Sequence, residues 1–469
     1  MLTADIAVLG AGPAGMTAAT EAARLGLTVV LLDEQAAAGG QIYRSVGQSS
    51  ARQAQVLGTD FTDGRTLVAD LAQAAVTHVT NAVVWQLGSD GTVTYSVDGE
   101  ARQVTARRVI LALGALERPM PIPGWTLPGV MTAGAAQILM KQSATVPTNA
   151  VIAGCGPLVY LLAQQLLRAG HPPRALVETQ IPADLARAMR HLPGALRGWR
   201  YLAKGARMLA EIRKAGIRRY TGATNLRIDG GGSAEAIGFS SGGTAHRVEA
   251  ATILLHQGVV PNVQATRSLG LDHRWSDRQR AFVPVADDWG RTSNEVFYVA
   301  GDGAGIGGAK AAEYAGRIAA LDAAASLGTI DTAERDQRSL ADRRARATEL
   351  LARPFLDAAY PPATDTLRPA DETIVCRCEE VTAGDIRQYA RLGCVGPNQT
   401  KAFGRSGMGP CQGRYCGLTV TEVLADANGR TPEETGYFRI RAPLKPLTLG
   451  ELATLSGDGG ELETVELAK

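Results

Sequence analysis

The sequence predicts an α/β protein: two nested dinucleotide-binding, Rossmann-like units followed by a small helical module that carries paired cysteines. Three observations lead there. A strand, glycine turn and helix pattern opens the chain at "DIAVLGAGPAGMTAATEAA" and recurs at "NAVIAGCGPLVYLLAQQLLRAG". A later stretch, "NEVFYVAGDGAGIGGAKAAEYAGRIAA", again sets glycines between a strand and a helix, so the second unit reads as an insertion into the first. Four of the six cysteines stand in two tight pairs near the far end.

Composition narrows the function classes. The chain of 469 residues is 45% hydrophobic and 20% charged, an ordinary globular balance with length for about three domains. A net charge of +2 gives no field that would attract nucleic acid. No run of 18 or more apolar residues and no signal-like start occurs, so a cytoplasmic protein is expected, membrane-associated only through partners. Six cysteines in so long a chain do not make a disulfide scaffold.

In the first fingerprint Gly10 permits the sharp turn, Gly12 lets backbone approach a pyrophosphate, and Gly15 lets the helix lie close on the strand. Pro13 and Ala14 sit between them at the helix start, where exposed amides and the positive dipole end meet phosphate. Asp33, followed by Glu34, closes the next strand where a carboxylate accepts hydrogen bonds from a ribose diol. Three later segments choose the nucleotide: "AAAGGQIYR" with Gly39, Gly40 and Gln41, "VILALGALERP" with Gly114, and "YVAGDGAGIGG" with Gly301, Asp302 and Gly307. They resemble the FAD segments of two-dinucleotide-domain flavoproteins of the glutathione and thioredoxin reductase type. That resemblance implies FAD, with Asp302 on the ribityl hydroxyls and a helix beginning near Gly307 aimed at the ring; a helix-capping role for Asp302 stands beside it.

The second fingerprint keeps Gly154 and Gly156 but has Val159 at the third position, where a branched side chain occupies the helix-packing spot. Glu178 ends its second strand. A structural relic or a weak nucleotide site is expected rather than a working NADH site. Gly258 and Pro261 in "LLHQGVVPN" resemble the return crossover of the same families. The arginine-rich stretch from Pro182 to Tyr220 reads as amphipathic surface helices.

Dithiol exchange is excluded, because no cysteine pair follows "GGQIYRS" and Cys155 is alone in its glycine loop. His256 reads as a satisfied crossover histidine, and no catalytic residue is evident. The cysteine pairs are Cys376 and Cys378, then Cys411 and Cys416. Four thiolates meet the ligand demand of a 2Fe-2S cluster, and Gly407, Gly409, Gly413 and Gly417 let backbone wrap closely and donate to sulfur. Four-cysteine zinc and reduced core thiols remain open, although zinc favours CxxC at both ends. Thr382 and Asp385 mark a capped helix between the pairs, and Cys394 is expected to be a buried spare.

The cysteine segments "CRCEEVTAGDIR" and "KAFGRSGMGPCQGRYCG", with "LDEQAAAGGQIYR" and "ERPMPIPGWTLPGVMTAGAAQ", resemble the alpha-type flavoprotein subunits of hydrogen cyanide synthase, opine oxidases and heteromeric proline or hydroxyproline dehydrogenases. Their iron-sulfur domain is of bacterioferritin-associated ferredoxin type. The resemblance implies an electron-transfer subunit with FAD and a 2Fe-2S cluster, oxidising no amine itself. A partner flavoprotein resembling D-amino-acid oxidase would do so, with a small third subunit, FMN at the subunit boundary and a quinone acceptor as further implications. A self-sufficient NAD(P)H-dependent reductase is the alternative.

The expected layout is a discontinuous FAD unit at 1–145 and 280–330, an inserted unit at 146–279, and a helix and linker at 331–370. An iron-sulfur module at 371–430 follows. The linker prolines suggest an extended crossing, and the tail at 431–469 is expected to be mobile after about Leu447 or to lie against a partner.

Overall fold

The computed structural model describes residues 2–457. Its first sheet contains strands β1 (Leu2–Leu9), β2 (Val29–Leu32), β3 (Val76–Val79), β4 (Val83–Leu87), β5 (Thr92–Val97) and β6 (Glu100–Leu111) in the order β3-β2-β1-β6-β5-β4. Strand Phe297–Val299 pairs in parallel with β6 from far along the chain, which closes the discontinuous unit. β1, β2, β3 and β6 run parallel, and every residue of β2 is buried, as expected of a strand covered on both faces. β4, β5 and β6 form an antiparallel meander.

Small residues bring two helices into tight contact on this sheet. Helix Pro13–Arg24 packs on helix Ala309–Ser326, and a side chain at Gly316 would stand 2.0 Å from the Ala14 carbonyl oxygen. Thr17 Oγ1 donates to the Glu313 carbonyl at 2.8 Å across the same contact. The glycine turn is thereby clamped between its own strand and a helix some 300 residues away.

The inserted unit has a five-stranded parallel sheet, in the order Arg218–Tyr220, Ala175–Glu178, Ala150–Cys155, Thr252–Gln257 and Val130–Thr132. A three-stranded antiparallel sheet covers it. The chain leaves the first unit through Ala115–Glu117 and returns through the antiparallel Val259–Pro261. The insertion therefore runs earlier at both ends than the 146–279 read from sequence: Val130–Thr132 precedes the glycine fingerprint yet pairs into the second sheet.

The linker departs from the extended crossing predicted for it. Pro354 sits in the first turn of a helix, Arg353–Ala359, where a missing N–H costs nothing, and a further turn spans Thr364–Leu367.

The cysteine module holds a short hairpin, Ile374–Cys376 with Val381–Thr382, and helices Ala383–Arg391, Pro397–Gly404 and Gly417–Ala427. Thr382 and Asp385 cap the first of these helices reciprocally, as the sequence pattern predicts. Its core is continuous with that of the first unit: Val375, Ile386, Val423, Leu424 and Phe438 share one apolar cluster with Val260, Trp275 and Phe282. Polar contacts reinforce the seam. Arg280 Nη2 donates to both carboxylate oxygens of the buried Glu422 at 2.8 and 2.6 Å, and Trp125 Nε1 donates to the Ile374 carbonyl at 2.7 Å.

The tail folds back instead of leaving the surface. Leu444 N donates to the Trp85 carbonyl at 2.8 Å, Lys445 pairs with Glu34 at 2.6 Å, and Ala101 N donates to Thr454 Oγ1 at 2.8 Å. The tail, expected to be mobile after about Leu447 or to lie against a partner, forms helix Leu449–Ala453 there, and residues 458–469 lie outside the described residues. Among the described residues no helix is long and apolar enough to cross a membrane.

Candidate functional site

The first glycine turn has no room for a side chain at Gly10 or Gly15. A methyl group on Gly15 would stand 1.8 Å from the Gly10 carbonyl oxygen, and Gly10 itself has φ +99° with the Ala112 carbonyl 2.6 Å from a Cβ position. Gly12 leaves open space on its exposed side, its nearest neighbour being Gly40 Cα at 3.8 Å. Gly12 caps the Pro13–Arg24 helix with no side-chain bond, so the first-turn amides remain available to an anion.

Around this turn the structure assembles the other predicted residues. Asp33 Oδ2 accepts from Ala11 N at 2.5 Å and Oδ1 from Gln35 N at 2.7 Å, which fixes the carboxylate beside the turn. Glu34 faces outward to Lys445. Gly40 has φ +58° and presses on Gly12, and the Gln41 carbonyl accepts from Lys141 Nζ at 3.0 Å. Gly114 lies near Gly303, whose Cβ position is 3.5 Å from the Gly114 carbonyl. Gly301 abuts the first helix, where a side chain on it would stand 2.9 Å from Ala14 Cβ. Asp302 Oδ1 accepts from Gly307 N at 2.8 Å and Gly308 N at 2.9 Å, so it does cap a turn; the helix starts at Ala309 rather than at Gly307.

Three cationic or ionisable side chains beside this cradle have no mark in the sequence. Arg44 is 7% exposed with its Nε unpartnered, and His78 Nε2 is likewise buried without a partner; both lie within reach of the Asp33 charge. Lys141 is 3% exposed and hydrogen-bonds Gln137 Oε1 and the Gln41 carbonyl. Burial, then the neighbouring Arg44 charge, pushes its ammonium down to about 7. Arg44 ends the quoted "GGQIYR", but nothing in that string marks it as buried.

The second glycine turn is closed. Glu178, fully buried, accepts from Arg219 Nε at 2.6 Å and Nη2 at 2.8 Å, from Tyr160 OH at 3.0 Å and from Gln180 Nε2 at 2.5 Å. With no exposed surface and these partners around it, it presents no free face to a ribose. Over the turn itself lies the linker: Cys155 Sγ donates to the Pro361 carbonyl at 3.2 Å, Tyr360 meets Tyr160 edge-on at 6.2 Å, and Thr366 bonds Gln257 at 2.5 Å. Burial pushes the Cys155 thiol up to about 12, so it is inert. His256 is spoken for as the sequence suggests, with Nδ1 2.5 Å from Glu117 Oε1 at the crossover.

The four module cysteines come together in a crossed arrangement. Cys376 lies beside Cys416 and Cys378 beside Cys411, so each spatial pair takes one member from each sequence pair. Cys416 also senses the charge of all three others. The hydrogen bond from Cys416, with those from the amides of Gly407, Glu379 and Cys378, brings Cys376 down to about 6. The same bond and burial push Cys416 up. A side chain on Gly409 would stand 2.2 Å from Cys378 Cβ. The thiols form two hydrogen-bonded pairs: among the described residues no three histidine, cysteine or acidic side chains surround a single metal position. Cys394 is fully buried and apart from them, donating to the Gly396 carbonyl.

Known proteins resemble this chain over nearly its whole length. The family profile described as pyridine nucleotide-disulphide oxidoreductase matches residues 4–328, and that of the sarcosine oxidase A3 domain matches residues 370–455. An opine oxidase subunit of Rhizobium meliloti is 43% identical over 98% of this chain and 89% of its own length. The chain belongs to this opine oxidase subunit family of pyridine nucleotide-disulphide oxidoreductases. Within that family the corresponding Agrobacterium tumefaciens subunit is 44% identical over 98% of this chain and 93% of itself. Hydrogen cyanide synthase subunit HcnB of Pseudomonas aeruginosa is 33% identical over 96% and 98%. Among solved structures, L-proline dehydrogenase from P. horikoshii superposes with a TM-score of 0.71 at 19% identity, covering 96% of this chain and 79% of that one, a likeness of fold alone.

Proposed function

We propose that this member of the opine oxidase subunit family is the electron-transfer component of a heteromeric oxidase or dehydrogenase acting on amine or amino-acid C–N bonds. FAD would lie along the Gly10–Gly15 turn, with Gly40, Gln41, Gly114, Gly301, Asp302 and Gly307 around it. A 2Fe-2S cluster would be held by Cys376, Cys378, Cys411 and Cys416. The carrying observation is the crossed meeting of these thiols, two beside two, with the Gly409 backbone packed against Cys378, a donor set that suits an iron-sulfur cluster. When bound, the flavin takes up a hydride equivalent and the cluster carries electrons singly.

The chain's own groups hold and orient. Asp33, pinned by the Ala11 amide, presents acceptors to a ribose diol, while the Ala14 and Gly15 amides and the helix dipole face a pyrophosphate. Asp302 is fixed through Oδ1, which leaves Oδ2 to receive a ribityl hydroxyl. The Arg280–Glu422 pair and the shared apolar core keep the cysteines at a constant distance from this cradle.

Substrate oxidation is assigned to a partner flavoprotein, since the similar proteins bear names of subunits. Opine, proline-type or glycine-type substrates, FMN at the boundary and a quinone acceptor belong to the same proposal. No observation favours the NAD(P)H-reductase alternative, because Glu178 is fully buried against Arg219 and Tyr160 and the linker covers the second turn. The test is purification of the chain with whatever partner accompanies it, followed by assay of flavin, iron and acid-labile sulfide and by anaerobic mixing with amines and with NADH. Stoichiometric flavin and two irons per chain, bleached by an amine, are expected. Zinc in place of iron, or rapid bleaching by NADH alone, would overturn the proposal.

A further inference from the structure

Three glycines flanking the module thiols lack room for a side chain, and each time the obstacle is an aromatic ring from beyond the sequence-defined module. A methyl group at Gly407 would lie 2.5 Å from Phe438 Cζ, one at Gly413 2.6 Å from Phe438 Cδ2, and one at Gly417 2.4 Å from Tyr437 Cζ. Gly407 and Gly413 also have φ of +81° and +78°, so conformation alone would account for them. Gly417 opens a helix without positive φ, and there the Tyr437 ring supplies the constraint.

These glycines belong to the backbone that surrounds sulfur. The Gly407 amide donates to Cys376, and residues 411–416 carry the second cysteine pair. Phe438 is 1% exposed and Tyr437 8%. The rings continue a row into the first unit: Tyr437 lies 5.7 Å from Phe282, which lies 5.0 Å from Trp275, each edge-on. The Tyr437 hydroxyl donates to the Gly413 carbonyl at 3.4 Å, in the loop between Cys411 and Cys416. Exposure is uneven across the thiols. Cys376 and Cys416 are buried, Cys411 is half-buried and Cys378 is exposed.

We propose that Phe438, backed by Tyr437, is a positioning residue for the cysteine site. Its ring fixes the two glycine loops so that their amides face sulfur, and it keeps water from Cys376 and Cys416. This rests on the reading of the cysteines as cluster ligands and deepens it.

The test compares wild type, Phe438→Leu and Phe438→Ala as full-length chains with their natural partner. Flavin content checks folding, and the readouts are the rate of iron loss to a chelator and the midpoint potential of the iron-sulfur absorbance. Iron loss should quicken in the order wild type, leucine, alanine, by about tenfold for alanine as local opening becomes easier. The midpoint should move positive as water reaches the sulfurs, which a remote structural lesion would not cause. Wild-type rate and midpoint in Phe438→Ala overturn the proposal. If that variant does not fold, Phe438→Leu decides: faster iron loss supports the seal and an unchanged rate overturns it. If wild type holds no iron, the functional reading fails instead, and the seal is judged by thiol labelling. More fast-reacting thiols in the variant than in wild type then uphold it, and equal numbers overturn it.

Discussion

Replacing Arg280 by methionine tests whether the cysteine module and the flavin-type unit are one body. The Glu422 side chain is 7% exposed and that of Arg280 34%, so the substitution takes the hydrogen-bonding partner from a buried carboxylate and leaves it only the nearby Arg118 charge, while the arginine lost was partly solvated. Removing one partner of a buried pair costs ~3–5 kcal/mol, and the solvated half places this case near ~3 kcal/mol. Urea unfolding followed by tryptophan and by flavin release gives the free energy, since Trp275 packs at the seam. Adding Glu422→Leu should recover all but ~1 kcal/mol, because the orphaned charge is gone. A single-variant loss under ~1 kcal/mol, or a double variant no better than the single, refutes the reasoning.

Gly15→Ala should yield a chain without bound flavin, because its methyl would meet the Gly10 carbonyl at 1.8 Å; absorbance near 450 nm per chain, roughly the usual flavin band, reads the loss. Neither NADH nor NADPH should quench protein fluorescence or raise the melting temperature, whereas Arg219→Ala, which strips Glu178 of two bonds, should lower stability by ~3 kcal/mol without creating a site. Lys141→Met should stabilise most below pH 7. The folded pKa near 7 lies under the ordinary 10.5, so the cost of burying the charge is full below 7 and vanishes toward 10.5. That cost is ~5 kcal/mol at most and the two lost hydrogen bonds offset ~3, leaving a gain of ~2 kcal/mol that denaturation at pH 6 and pH 10 would separate.

Local signals were legible where the chain's own neighbours enforce them. Gly10, Gly12 and Gly15 sit in one turn with Asp33 beside it because strand, turn and helix are contiguous, and the Thr382–Asp385 cap is likewise a matter of four residues. The damaged second turn was readable from Val159, but its cover was not: Tyr360 and Pro361 reach Cys155 from some 200 residues away. The linker prolines pointed to extended chain, yet Pro354 instead starts a helix, since a first-turn proline reads alike in both settings. Tyr437 and Phe438 fell outside the module drawn from the cysteines, and three of the four glycines read as wrapping the thiols prove also to lie against these rings. Buried cations such as Lys141 and Arg44 leave no periodic trace, because their burial depends on segments distant in sequence.

The Leu444 amide reaches Trp85 on β4, the last strand of the first sheet, and so engages an edge that would otherwise present bare backbone groups. An uncovered edge is a template for pairing with another chain. Cutting the protein after Arg441 would thus trade a self-limited sheet for one able to recruit copies of itself, visible as concentration-dependent scattering while β4 is intact.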